Sequence, residues 1–88
     1  MKYKIEYTEN AQNDMFALPK SVSVRIAHKL EYYVVTGNPL EYATRLSGSL
    51  GDMYRFRIGD YRALFKVVYD TVTILLVQKV AHRKDVYE

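Results

Sequence analysis

Arg55, Arg57 and Arg62 lie close together in MYRFRIGDYR (53–62), interleaved with Tyr54, Phe56, Ile58 and Tyr61. An arginine side chain carries a planar fork of N–H donors that suits phosphate oxygens, and it keeps its charge at any usable pH. Gly59-Asp60 separates two apolar-aromatic runs and reads as a two-residue hairpin loop. Such a loop sets Ile58 opposite Tyr61 and Arg57 opposite Arg62, with Arg55 two residues along on the same face. Like charges directly opposite one another are destabilising. The strands at 53–58 and 61–69 contain no acid to relieve them, so the face calls for a polyanion.

The C-terminal group adds His82, Arg83, Lys84 and Tyr87, which supply proton transfer and stacking. A basic face with a histidine and a tyrosine at one end fits RNA binding or phosphodiester cleavage. Phosphodiester cleavage in general needs three things: a proton taken from the attacking hydroxyl, stabilisation of charge on the phosphorane, and a proton for the leaving oxygen. Arg57, Arg62 and Arg83 suit the second task. Arginine is a poor base, so the base lies elsewhere. His82 is one candidate because an imidazole titrates near neutrality, although the alternation that puts Arg83 with the arginines puts His82 opposite. Tyr87 is the other. Asp85 or Glu88 contributes only if held close. Arg45 and Lys84 are candidate phosphate contacts, with a solvated role as the alternative.

Several elements must position these groups. KYKIEY (2–7) alternates as a half-buried strand. Thr8 caps a short helix with Glu9 in its first turn; Ala11, Met15 and Leu18 share a face, and Pro19 ends it. A second helix is expected from Lys20 to Thr36, with Val22, Ile26, Leu30, Tyr33 and Val34 on its apolar stripe and His28 as a partly exposed residue. Gly37-Asn38-Pro39 stops it. The segment 39–51 reads as a loop with a helical turn near 41–44. From Met53 the period is two. If Asp70-Thr71 is also a two-residue loop, Tyr69 pairs with Val72 and Arg62 with Lys79. Lys79 then joins the arginine face, followed by Ala81 and Arg83, whereas a one-residue slip sends Lys79 and Arg83 to the other side. The expected fold is α+β: a four-stranded antiparallel sheet with two N-terminal helices on one face, in the order βααβββ.

The 88 residues allow one domain. The absence of cysteine excludes a disulfide framework, a thiolate metal site and a cysteine nucleophile, and it fits a reducing compartment. MKYKIEYTEN lacks the apolar run of a secretory signal, and no stretch is long enough for a membrane helix; a cytoplasmic protein is expected. The net charge of +3 is uneven. Residues 1–52 hold six Lys/Arg and six Asp/Glu, whereas 53–88 hold seven against four, so the excess of three lies in the part that carries the cluster. That asymmetry favours a polyanionic partner.

The run YRFRIGDYRALFKV (54–67), followed by VAHRKDVYE (80–88), resembles the RelE/ParE toxin superfamily, and the RelE branch fits best. The resemblance spans nearly the whole chain, residues 1–88 forming one RelE-like toxin domain. It implies a metal-independent endoribonuclease without cofactors, which cuts mRNA in the ribosomal A site and leaves a 2′,3′-cyclic phosphate and a 5′-OH. It also implies neutralisation by a cognate antitoxin that wraps the toxin. By that resemblance Arg55 and Arg57 match a basic pair that is often lysine, and Arg62 matches the arginine that contacts the scissile phosphate. Arg83 matches the arginine that stabilises the transition state, Tyr87 the terminal tyrosine that stacks on or orients the base, and His82 a position held by lysine or histidine. Lys79, Arg45 and Lys84 are the expected RNA contacts. The alternatives are a ParE-like protein that inhibits DNA gyrase without nuclease activity, and a non-catalytic RNA- or antitoxin-binding domain.

Overall fold

The computed structural model describes residues 2–46 and 53–87. Residues 47–51 of the expected loop, and Glu88, lie outside them. The chain runs β1 (Tyr3–Tyr7), α1 (Glu9–Ala17), α2 (Lys20–Val35), a 3₁₀ turn (Pro39–Tyr42), β2 (Ala43–Arg45), β3 (Met53–Ile58), β4 (Tyr61–Tyr69) and β5 (Thr73–His82).

The helices form where their end signals place them. The Thr8 hydroxyl accepts from the Ala11 amide at 3.1 Å, and Glu9 occupies the first turn of α1. Ile26, Leu30 and Tyr33 of α2 are buried, with Val22 and Val34 half-buried beside them, while His28 is exposed. Gly37 takes a φ of 94° just past the C-cap Thr36, a conformation that glycine adopts without a Cβ penalty. The turn expected near 41–44 is the 3₁₀ turn at Pro39–Tyr42.

The sheet differs from the expected one. Among the described residues it has five strands in the order β1-β5-β4-β3-β2, and it is mixed. β1 lies parallel to β5, Tyr3 facing Thr73 and Tyr7 facing Val77. β1 is not joined to its partner by a hairpin, and alternation alone carries no direction, so the antiparallel expectation had no local support. The fifth strand, β2, is three residues long and pairs antiparallel with β3; a segment that short shows no period. The two helices do pack on one face, over Phe56, Ile58, Ala63, Phe65, Leu75, Val77 and Val80. Rings stack through that core, with centroids 4.6 Å apart for Tyr42–Tyr33, 4.8 Å for Tyr33–Phe56 and 4.4 Å for Phe56–Phe65.

The β3–β4 hairpin has the expected register: Ile58 faces Tyr61 and Arg57 faces Arg62. Gly59 alone in the loop has a positive φ, 59°, which suits the first position of a II′ turn. The β4–β5 register is corrected. Tyr69 faces Thr73, not Val72, so the loop is residues 70–72; Arg62 faces Ala81, not Lys79. A β-bulge then shifts the pairing between Phe65↔Val77 and Leu64↔Lys79, leaving Gln78 without a partner on β4. The longer loop and the bulge each move the phase by one residue. The two shifts cancel, and Lys79 and Ala81 come out on the arginine face as expected.

Candidate nucleic-acid interface and cleavage site

The sheet face away from the helices carries two rows across β3, β4 and β5: Arg55–Leu64–Lys79 and Arg57–Arg62–Ala81. Arg83 follows immediately after β5 at the hairpin tip. Its amide donates to the Asp60 carbonyl at 2.8 Å, and its guanidinium lies 3.9 Å from the Asp60 carboxylate. Both side chains of that ion pair are exposed, so it is a weak, screened contact. Among the described residues no carboxylate lies within ion-pair distance of Arg55, Arg57 or Arg62.

Arg62 is the buried member, with 7% of its surface exposed. Its Nη1 donates to the carbonyls of Gly59 and Tyr61, both at 2.8 Å. These bonds aim the guanidinium along the hairpin and leave Nη2 and Nε without partners among the described residues. Desolvation first, and then the charges of Arg57, Arg55 and Arg83, push its pKa below the ordinary arginine value; Tyr87 acts the other way. The guanidinium remains a cation, held by the fold in an unfavourable field that an anion would relieve.

The chain after β5 turns back over this same face. Val86 is buried, at 1% exposure, against Met53 and Leu64, with Leu46 and Ala81 beside them. This second apolar cluster lies opposite the main core. It sets down Tyr87, whose phenolic oxygen accepts from Arg55 Nη1 while its ring stays half exposed. Tyr87 is visible in the sequence as a functional candidate, and Val86 is not. Its signal was a lone aliphatic in a charged tail, RKDVYE.

The face thus gathers Arg55, Arg57, Arg62, Lys79, Arg83 and Tyr87. It does not gather His82, which faces Tyr61 on the helix side; the two rings meet edge to face at 5.5 Å, and His82 Nδ1 accepts from the Lys84 amide at 3.2 Å. Arg45 is also turned away: it faces Tyr54 and lines a separate groove with Tyr54, Lys66, Val67 and Tyr69. Lys84 and Asp85 are exposed in the C-terminal turn.

Among the described residues no helix is long and apolar enough to cross a membrane. The family model described as the ParE toxin of the type II toxin–antitoxin system parDE matches residues 5–87. Toxin RelG of Mycobacterium tuberculosis is 25% identical over 87 residues, 99% of this chain and 98% of RelG. The putative toxin RelE1 of Methanocaldococcus jannaschii is 29% identical over 90 residues, 100% of this chain and 98% of RelE1. The fold is similar to that in the toxin–antitoxin complex RelBE2 of Mycobacterium tuberculosis, with a TM-score of 0.81 at 24% identity, covering 94% of this chain and 100% of that one. With its matched length, its RelE-type relatives and its α+β architecture, the chain belongs to the RelE/ParE superfamily of type II toxin–antitoxin toxins, on the RelE-like branch.

Proposed function

We propose that this toxin is a metal-independent endoribonuclease acting on mRNA held by the ribosome. The observation that carries the reading is the uncompensated row of Arg57 and Arg62, with Arg55, Arg83 and Tyr87 on the same face. The 2′-OH gives its proton to the proton-transfer group, attacks the adjacent phosphorus and forms a 2′,3′-cyclic phosphate. The bond from phosphorus to the 5′ oxygen breaks, and that oxygen takes a proton. Arg62, Arg57 and Arg83 stabilise the negative charge that builds on the phosphorane, a contribution worth about 10²–10³ in rate for each well-placed donor. Lys79 holds the flanking backbone.

Tyr87 is the preferred proton-transfer group. It stands on the arginine face, and the guanidinium that donates to its oxygen would stabilise negative charge there in the transition state. His82 is set aside as base because it packs on the helix side. Arg45 and Lys84 are assigned only peripheral phosphate contacts. Among the described residues no strong base stands near the arginines, so in-line positioning of the mRNA by the ribosome supplies much of the effect. A cognate antitoxin is the expected inhibitor, as the RelBE2 neighbour is a toxin–antitoxin complex. The protein would act in the cytoplasm, where ribosomes are.

Primer extension on transcripts after induction of the chain alone tests this reading. Growth arrest with cuts in register with codons is expected, and Arg62→Ala and Arg83→Ala should each abolish the cuts. Fully toxic variants would refute the site. The family model's own description, a ParE toxin, favours one second reading, inhibition of DNA gyrase without nuclease activity. Inhibition of purified gyrase together with intact ribosome-bound mRNA would select it.

A further inference from the structure

We infer that Asp14, on the opposite side of the sheet from the arginines, is a positioning residue. Through the Val80 amide it holds the bulge in β5, and the bulge decides whether the strand presents Lys79 and Arg83 or His82 to the RNA face.

The bulge breaks the pairing at Gln78. Were the 65–69 register to continue unbroken, Ala63 would face Lys79, Arg62 would face Val80 and Tyr61 would face Ala81. Lys79, Ala81 and Arg83 would then turn toward the helices, and Val80 and His82 toward the arginines. A buried Val80 and an Arg83 beside Asp60 are what the bulge secures.

β1 gives this irregularity no support. β1 ends opposite Val77, where the Thr8 amide donates to the Val77 carbonyl at 2.9 Å. Beyond that point α1 takes the place of a strand. The Asp14 carboxylate (Oδ2) accepts from the Val80 amide at 2.9 Å. The Asn10 amide donates to the Gln78 carbonyl at 3.1 Å, and the Thr8 hydroxyl lies 3.4 Å from the same oxygen. Three side chains, from the N-cap and the body of α1, therefore satisfy backbone groups on either side of the break in pairing. Of these, Asp14 makes the charge-assisted bond and the only contact to the far side of the irregularity.

The effect on cleavage rests on the nuclease reading; the effect on register does not. The test compares wild type, Asp14→Ala and Asp14→Asn by NMR and by cleavage of ribosome-bound transcripts. In the wild type the Val80 amide exchanges slowly, and the rings of Tyr61 and His82 give a cross-relaxation peak. In Asp14→Ala that peak and the Val80 protection are lost while the Leu75 and Phe65 amides stay protected, and kcat falls by about 10²-fold with a smaller change in KM. Asp14→Asn, which keeps an acceptor oxygen, recovers most of both. An Asp14→Ala protein that keeps the ring peak overturns the inference, whether or not the Val80 amide, whose acceptor the substitution removes, still exchanges slowly. So does fast Val80 exchange in the wild type, a result available even if the alanine variant does not fold. Loss of the ring peak alongside a wild type that cuts nothing supports the inference and overturns the nuclease reading alone.

Discussion

Replacing Arg57 by Gln should make the protein more stable and less active. Arg57 faces Arg62 across the hairpin, its side chain has no hydrogen bond or ion pair among the described residues, and it is exposed. Removing it therefore breaks no favourable contact and relieves a like-charge pair. A directly opposed cross-strand pair is worth about 0.2–1 kcal/mol. For a domain of this size 1 kcal/mol moves Tm by about 4–8 °C, so the expected gain is about 1–8 °C at low salt. The gain should shrink toward nothing at about 1 M salt, where the screening length is about 3 Å. Inorganic phosphate should raise the Tm of the wild type by occupying the row, and raise that of Arg57→Gln less. Thermal melts across a salt series, with and without phosphate, check all of this. A lower Tm for Arg57→Gln at low salt, or a gain indifferent to salt, would refute the claim that the fold holds these cations against mutual repulsion.

Other outcomes follow from the same geometry. Tyr87→Phe removes the oxygen that accepts from Arg55; cleavage of ribosome-bound mRNA should drop about 10²–10⁴-fold, with stability changed by less than about 0.5 kcal/mol. Val86→Ala should cost roughly 1.5–3 kcal/mol of local anchoring, read as faster amide exchange at residues 83–87 with Leu75 and Phe65 unaffected; uniform loss across the sheet would show that the second apolar cluster is not a separate anchor. Burial first, and then Tyr42 and Tyr32, hold the Tyr33 phenol above its ordinary pKa of 10.0. The folded state therefore keeps this proton to higher pH than the unfolded chain does. Its contribution to stability is present below about pH 10 and is lost as pH rises above it. Urea midpoints from pH 9 to 11 should fall more steeply for wild type than for Tyr33→Phe.

The parts of the fold that were legible in the sequence are those with short-range causes. Gly59-Asp60 is a two-residue loop with a glycine where a positive φ is needed, and the pairing of Arg57 with Arg62 follows from it. The helices show their caps and stripes in the same way. What stayed hidden is set by distant partners. The direction of β1 is decided by a strand some seventy residues away, and β2 is too short to show a period. The bulge at Gln78 depends on Asp14, Asn10 and Thr8 reaching it from another layer. At the site, charge type and spacing exposed the arginines, and the conflict between His82 and Arg83 was already visible as alternation. Val86 was not, because a single valine has no pattern, and only the folded tail gives it a cluster to join.

The parallel pairing of β1 with β5 has a consequence for how the toxin comes into being. The strand made first, from Tyr3, can find its partner only after Thr73–His82 has been synthesised. Closing so long a loop is slow compared with forming the hairpins in between. Arg83, Val86 and Tyr87 come later still. Without Arg83, Val86 and Tyr87 the proposed site is half built even when the sheet has closed, so a nascent chain would become competent only after Tyr87 has been made.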